Sequence, residues 1–325
     1  MVKLASAEAA TQKKATRAAL GATLAELADA GVPVVAVDAD LTGSTTTKKL
    51  ADAGHGDRLF NCGIAEQNMV DVAAGLALAG NVAFTGSFAV FGTGRAYDQI
   101  RNTVCYSNLN VKIAPTHAGI SVGPDGGSHQ MLEDVSLMRG LPGMRVLVPA
   151  DYAAARAAIK LAAATPGPVY VRMGRAAVPC VYDDDVELQI GRAYVLREGA
   201  DVTIVANGVE IREALAAADM LAERGVSAEV VDAFSVKPLD GETIAASLAK
   251  TRCAVVAEEH SVVGGLGSAV CELAVQACPV PVELVGMRDR FGKSGEFDEL
   301  LAYFGLDAAA IVEAVEKARS RVGLC

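Results

Sequence analysis

The stretch Asn61–Val70, which reads NCGIAEQNMV, places a carboxylate directly after a glycine turn and at the start of an apolar helical pattern. After Glu66, apolar residues recur at close to helical spacing, at Met69, Val72, Ala73, Leu76 and Leu78. This spacing predicts a helix that packs inward and leaves Glu66 partly desolvated at its first turn. The alternative is that Glu66 only complements the positive N-terminal end of the helix.

Apolar runs of strand length alternate with stretches of helical period on both sides of this segment. In the first half, strands are predicted over residues 32–37, 111–114 and 145–148, and helices over 16–30 and 153–164. Such alternation is typical of a parallel sheet whose strands are connected by helices. The predicted fold class is therefore α/β.

A new strand–helix series begins after residues 176–188, where Pro179 and the acidic run 183–185 interrupt the apolar pattern. This composition predicts a linker between domains. The length of 325 residues also exceeds the usual size of a single domain. We therefore predict two doubly wound domains, spanning residues 1–188 and 189–325.

Composition and charge narrow the compartment and the class of partner. Hydrophobic residues make up 52% of the chain, which excludes a disordered protein, and the net charge of -10 argues against nucleic-acid or membrane binding. The sequence has neither a signal-peptide pattern nor an 18-residue apolar run, and its seven cysteines form no CxxC or Cys/His ligand spacing. We predict a cytoplasmic protein with no metal site of its own.

Two of the four histidines flank one glycine-rich segment. Between His117 and His129 lie four glycines and Asp125. We predict that His117 ends a strand and His129 begins a helix, which puts the loop at the edge where open α/β sheets bind ligands. Two imidazoles and a carboxylate there could bind polyol hydroxyls or transfer protons. The alternative is a surface loop with incidental histidines.

Two further sets of residues could bind parts of a ligand. Phe88 and Phe91 could sandwich a flat ring, although aromatic residues more often fill the core. An anion could be bound by guanidinium and hydroxyl groups, although each alone is more often solvated, and the candidates are Arg17, Ser44 and Arg175.

Five motifs, taken in order, resemble those of transketolase. They are DLT at 40–42, GIAEQ at 63–67, FAVF at 88–91, HAGISVGPDGGSHQ at 117–130 and GR at 174–175. The resemblance covers essentially the whole chain. It is to the C-terminal half of transketolase proteins, which consists of a pyrimidine-binding domain followed by the C-terminal transketolase domain. It implies transfer of a two-carbon ketol group from a ketose phosphate to an aldose phosphate in the pentose phosphate pathway, with thiamine diphosphate as cofactor.

The resemblance also implies roles for residues around the cofactor. Glu66 would face the pyrimidine N1′ of thiamine diphosphate and exchange a proton with it. Phe88 and Phe91 would hold the pyrimidine ring, and Asp40 would belong to the same cofactor site.

Other residues of the resemblance would contact the sugar phosphate. His117 and His129 would contact the donor's oxygens and take part in catalysis, and Asp125 would bind the hydroxyl that distinguishes sugar stereochemistry. The substrate phosphate would be bound by Arg17, Ser44 and Arg175.

The sequence departs from the family pattern close to these residues. Gly94 stands where many transketolases carry a further aromatic residue, and Ala65 and Gln67 replace the arginine and histidine that usually flank the glutamate. The order Ala-Glu-Gln is shared with 1-deoxyxylulose-5-phosphate synthase, but that family has an arginine at the position of His117. His117 therefore favours ketol transfer.

The family's Gly-Asp-Gly motif, followed further along by an asparagine, does not occur in the sequence. Because that motif binds the diphosphate and Mg²⁺ (or Ca²⁺), the resemblance implies an N-terminal transketolase subunit that holds them and shares the cofactor with this chain. The predicted assembly is an α2β2 heterotetramer. Alternatives are an enzyme acting on a branched, deoxy or sulfonated sugar, a 1-deoxyxylulose-5-phosphate synthase-like enzyme, and a non-catalytic regulatory subunit.

Overall fold

The first half of the chain forms most of a large sheet in the computed structural model, which describes residues 2–322. The strands of this sheet are β2 (Val34–Asp38), β3 (Leu59–Asn61), β4 (Val82–Gly86), β5 (Val111–Ile113), β6 (Arg145–Leu147), β7 (Val169–Val171) and β12 (Ser235–Lys237). They lie in the order β12-β6-β7-β5-β4-β2-β3. Neighbours are parallel except β12, which comes from the second half and pairs antiparallel with β6. The strands β2 and β4 are buried at every residue, as expected where helices cover both faces.

Long helices pack against this sheet, namely α1 (Ala19–Asp29), α4 (Glu66–Leu78) and α7 (Tyr152–Ala164). Shorter helices are α2 (Thr42–Thr45), α3 (Lys48–Leu50), α5 (Tyr97–Gln99) and α6 (Asp134–Arg139). Single 3₁₀ or π-helical segments lie at Ala9–Thr11, Thr16–Ala18, Ala51–His55, Gly56–Arg58, Val90–Arg95, Ile100–Tyr106 and Ile120–Asp125.

The helix predicted to begin at Glu66 is confirmed as α4. Met69 and Ala73 are fully buried on its inner face, whereas Leu78, also predicted to face inward, is 73% exposed. Nine residues separate Leu78 from Met69, and at about 100° per residue this puts Leu78 on the opposite side of the helix. Leu76, seven residues after Met69, returns to the inner face and is partly buried.

The second half forms a separate, mostly parallel sheet. Its strands are β9 (Tyr194–Arg197), β10 (Val202–Ala206), β11 (Ala228–Asp232), β13 (Ala254–Ser261) and β14 (Val282–Met287), in the order β14-β13-β10-β11-β9. The first four in this order are parallel, and β9 is antiparallel to β11. The helices of this half are α8 (Glu210–Glu223), α9 (Gly241–Thr251), α10 (Leu266–Ala277), α11 (Phe297–Phe304) and α12 (Ala308–Ser320). The predicted α/β class, with a doubly wound second half, is confirmed.

The predicted linker, residues 176–188, is packed against the first half. Within it, β8 (Ala177–Pro179) pairs antiparallel with β1 (Lys13–Ala15). The Tyr182 amide donates to Asp151 Oδ2 over 2.8 Å, and the Tyr182 hydroxyl donates to Asp232 Oδ2 over 2.5 Å. Tyr182 thereby bonds to residues of both halves, and the division after residue 188 stays a prediction.

Across residues 2–322, the helices are too short or too polar to cross a membrane.

Candidate active site

The predicted site residues follow the carboxyl ends of parallel strands in the first sheet. Asp40 follows β2, Phe88 follows β4, His117 follows β5 and Arg175 follows β7. Glu66 comes from the start of α4, after β3. Because parallel strands end at the same edge of a sheet, these segments meet there, where open α/β sheets bind their ligands.

The Glu66 carboxyl group is buried, with only 1% of the residue exposed, although it opens a helix. Arg95 Nη1 donates to Glu66 Oε2 over 2.7 Å, and Ser87 Oγ lies 3.5 Å from Oε1. The expected desolvation of Glu66 is therefore confirmed. Its ion-pair partner Arg95 has a side chain that is 47% exposed, so the pair joins a buried carboxylate to a guanidinium that reaches the surface.

Four rings cluster beside Glu66. The imidazole of His117 stacks on Phe88 with 3.7 Å between ring centroids, and His129 meets Phe91 edge-on at 5.4 Å. The Phe88 and Phe91 centroids are 6.3 Å apart with their planes within 15°. A flat ring between them would need about 7 Å, since each stacked contact takes about 3.5 Å. The observed spacing is slightly smaller than this, and the holding of a flat ring by the two phenylalanines stays a prediction. The Arg95 guanidinium lies over Phe91 at 4.6 Å.

The predicted structure around the two histidines is wrong in detail. Strand β5 ends at Ile113, four residues before His117, and His129 lies in a turn five residues before α6 begins. Between them, residues 120–125 form a 3₁₀ segment that Gly123 interrupts with φ 76°. The His129 amide donates to the Gly126 carbonyl over 2.9 Å, which closes a turn instead of opening a helix. The glycines allow the compact loop that a helical pattern does not predict.

His117 is nearly inaccessible, at 2% exposed, and its Nδ1 lies 2.7 Å from Thr116 Oγ1. Burial, together with the charges of the nearby Arg17 and Arg175, lowers the pKa of His117 to about 3. A neutral imidazole can both donate and accept a hydrogen bond, which suits contact with sugar hydroxyls.

The predicted anion-binding residues come together beside His117. Arg17 Nη1 donates to the Ser44 carbonyl over 2.7 Å, and Arg175 Nη1 donates to the Val122 carbonyl over 3.1 Å. Burial lowers the pKa of Arg17, the charge of Arg175 lowers it further, and the carboxylate of Asp125 opposes this. Two guanidinium groups that repel each other favour an anion between them.

Asp40 lies at the rim of this group. It is exposed, has φ 65°, and its amide donates to Asn61 Oδ1 over 3.1 Å. The same Asn61 oxygen accepts from the Gly63 amide over 3.0 Å, so Asp40 is connected to the turn that precedes Glu66. Residues 2–322 contain no group of three or more His, Cys, Asp or Glu side chains that could bind a metal ion.

Sequence reasoning missed Arg95 and Glu259. Arg95 follows the FAVF motif by four residues, and only a search for a cation near the buried glutamate would single it out. Glu259 lies in Glu258-Glu259-His260, an acidic pair at the end of an apolar strand, and its carboxylate accepts a bond from the Ser121 amide. The acids in that strand were a signal of a buried polar contact.

Comparison with family models covers both halves of the chain. Residues 12–181 match the transketolase pyrimidine-binding domain, and residues 191–311 match the transketolase C-terminal domain.

Three relatives match along nearly their whole length. A protein of Methanocaldococcus jannaschii named as a transketolase C-terminal section is 45% identical, with 93% of this chain and 95% of that protein covered. A 6-deoxy-6-sulfo-D-fructose transketolase subunit of a Clostridium species is 44% identical, with 92% of each chain covered. The solved structure of a split-gene transketolase, an inactive beta4 tetramer, is 49% identical with a TM-score of 0.87, covering 96% of this chain and 100% of that one.

Proposed function

Because the chain belongs to the transketolase family, we propose that it is the C-terminal subunit of a split, thiamine diphosphate-dependent transketolase. It would transfer a two-carbon ketol group from a ketose phosphate to an aldose phosphate, a reaction of the cytoplasmic pentose phosphate pathway. The observation that carries this proposal is one sheet edge that combines a buried acid, a ring cluster and a pair of arginines. These are Glu66, the rings of Phe88, Phe91, His117 and His129, and the guanidinium groups of Arg17 and Arg175.

The contacts of Arg95 support the binding of an aminopyrimidine ring beside Glu66. The guanidinium is flat, donates to Glu66 Oε2 over 2.7 Å and lies 4.6 Å above the Phe91 ring. A pyrimidine protonated at N1′ is likewise flat and offers an N–H donor, so it would use the same acceptor and the same ring face. A flat cation beside Glu66 therefore supports the proposed binding of the pyrimidine at this position.

When bound, thiamine diphosphate would supply the electron sink needed to cleave a carbon–carbon bond of the ketose. Glu66 would hold and return a proton at the pyrimidine N1′, in a site from which water is largely excluded. Phe88 and Phe91 would orient the ring, with Asp40 at the rim. His117 and His129 would bind the donor's oxygens, and Asp125 would select the hydroxyl configuration.

The diphosphate and Mg²⁺ would be held by an N-terminal transketolase subunit, in an α2β2 heterotetramer with this chain. Such a clamp needs oxygen ligands and charge neutralisation. The relative whose chains form an inactive beta4 tetramer supports this proposal, because that assembly of split-gene chains is described as inactive.

A sulfonated ketose is the second candidate donor. The Clostridium relative is named for 6-deoxy-6-sulfo-D-fructose, and a sulfonate, like a phosphate, presents oxygens that a guanidinium pair can bind. The arginine pair of this chain is compatible with either anion.

Activity should appear only when the two subunits are combined. We expect transfer from xylulose 5-phosphate to ribose 5-phosphate, with thiamine diphosphate and Mg²⁺, in a mixture with the N-terminal subunit and not with this chain alone. Without turnover, cofactor binding by the mixture would favour the sulfonated donor or 1-deoxyxylulose-5-phosphate chemistry, each to be assayed next. A mixture that binds no cofactor would contradict the proposal of an enzyme and favour a non-catalytic regulatory subunit.

Replacing Arg95 by methionine should tighten cofactor binding. The pyrimidine must displace the guanidinium from Glu66. Because the Arg95 side chain is 47% exposed, we take the contribution of an exposed ion pair, about 0.2–1 kcal/mol, so Arg95→Met should lower the Kd of thiamine diphosphate about 1.4- to 5-fold. Calorimetric titration of the two-subunit complex measures this directly. Arg101→Met, an exposed arginine six residues later, is the control and should leave the Kd unchanged. Weaker binding in Arg95→Met would mean that Arg95 helps to hold the cofactor.

A further inference from the structure

The loop of residues 117–130 is held by the second half of the chain as well as by its own sheet. From the first half, the Met173 and Met131 carbonyls accept the amides of Ala118 and Gly119 over 3.1 and 2.8 Å. From the second half, Glu259 in β13 accepts the Ser121 amide with Oε1. Glu259 is 2% exposed, so this bond is shielded from water.

Gly119 leaves the space that the Glu259 carboxyl group occupies. A Cβ added at Gly119 would overlap that carboxyl group, and the φ of 76° at Gly119 also disfavours any other residue. The backbone of the loop therefore approaches the Glu259 side chain as closely as a glycine allows. His117 lies two residues before this contact.

Arg172, which directly follows β7, compensates the buried charge of Glu259. Its Nη2 donates to the Glu259 carbonyl over 2.8 Å, its Nη1 lies 3.7 Å from Oε2, and its Nε donates to Asp134 over 2.7 Å. Burial raises the pKa of Glu259 to about 7 even though the charge of Arg172 opposes this shift. Glu210 is a second buried acid close enough to interact with Glu259. Desolvation of these charges is costly, and the hydrogen bonds of Arg172 offset part of that cost.

A second contact holds the other side of the loop. Gln130 Nε2 donates to the Lys293 carbonyl over 3.0 Å and to the Ile120 carbonyl over 3.2 Å. A Cβ at Gly127 would lie 2.6 Å from the Gly292 carbonyl oxygen, so here two backbones touch directly. The loop is therefore fixed from the second half near both of its ends.

We infer that Glu259 is a positioning residue that fixes the loop carrying His117, Asp125 and His129 in the geometry required to bind the ketose. The inference rests on the proposed function and gives the second half of the chain a part in the active site. Glu259 acts through the Ser121 amide and the backbone around Gly119, without touching the substrate. A purely structural role would instead lower stability and leave substrate binding unchanged.

The test compares Glu259→Ala and Glu259→Gln in the full chain, assembled with the N-terminal subunit. We expect Glu259→Ala to raise the KM for the ketose about tenfold, since small displacements of binding groups are costly, while the Kd of thiamine diphosphate changes less than about twofold. Glu259→Gln keeps an oxygen that can accept the Ser121 amide and should restore most of the loss. An unchanged KM in a folded Glu259→Ala enzyme would overturn the inference.

Glu229→Ala is the matched control. Glu229 is a fully buried glutamate on β11 that pairs with Lys250, away from the loop. Its loss should lower the thermal midpoint without changing the KM. An equal change of KM in both variants would mean that Glu259 contributes only to the general stability of the protein.

Amide hydrogen exchange separates this inference from the proposed function. In Glu259→Ala, peptides that span residues 117–130 should exchange faster, whereas peptides of α4 should not. If the wild-type mixture turns over no ketose, the proposed function fails, and the exchange of the loop still decides whether Glu259 holds it. Unchanged exchange in the loop would overturn the inference.

Discussion

Glu66→Gln is expected to lower kcat about 10²- to 10⁴-fold in the assembled enzyme, the usual contribution of a positioned acid or base. The amide has nearly the shape of the carboxyl group, so it fits beside Ser87 and Arg95, but it cannot give and take a proton. Because Glu66 is 1% exposed, water has little access to replace it. The loss should therefore lie in turnover and not in folding.

The measurement is kcat at saturating ketose and cofactor, together with the thermal midpoint of the same preparation. Glu229→Gln serves as the control, because it replaces another fully buried glutamate, on β11 of the other sheet. We expect it to retain turnover whatever its effect on stability. A Glu66→Gln enzyme with near-normal kcat would contradict the proton-transfer role assigned to Glu66.

Features that depend on neighbouring residues could be predicted from the sequence. The start of α4 at Glu66 follows from a glycine turn and a helical apolar period, and both are local. The convergence of Asp40, Phe88, His117 and Arg175 follows from their positions after parallel strands. Local periodicity and sheet topology were sufficient for these predictions.

Contacts between distant segments could not be predicted in the same way. Arg95 reaches Glu66 from a π-helical segment, whose spacing differs from the helical period on which sequence reasoning relies. Glu259 reaches Ser121 across 138 positions of sequence, and its register depends on how the two halves pack. His117, which stacks on Phe88, also has a left-handed backbone with φ 62°, which is uncommon for a residue other than glycine. Such contacts exist only after the fold has formed.

The double variant Arg17→Met/Arg175→Met should lose its preference for a phosphorylated ketose by at least about 10²-fold in kcat/KM. A hydrogen bond to a charged group contributes about 1.5–3 kcal/mol, which corresponds to about 10- to 100-fold for each arginine. Because the two guanidinium groups are close enough to repel, the first substitution should cost less than the second.

The comparison substrate is the same ketose without its phosphate, for which wild type and variants should have similar kcat/KM. The ratio of kcat/KM on the two substrates corrects for a general loss of activity. This correction matters because Arg17 also donates to the Ser44 carbonyl and Arg175 to the Val122 carbonyl. Arg58→Met is the matched control, since Arg58 also donates to a backbone carbonyl, that of Val32 over 2.8 Å, at the opposite edge of the sheet. If the double variant lost activity equally on both substrates, the arginines would support the loops and would not bind the phosphate. Unchanged kcat/KM on both substrates would exclude both roles and require another cation in the site, supplied by the partner subunit.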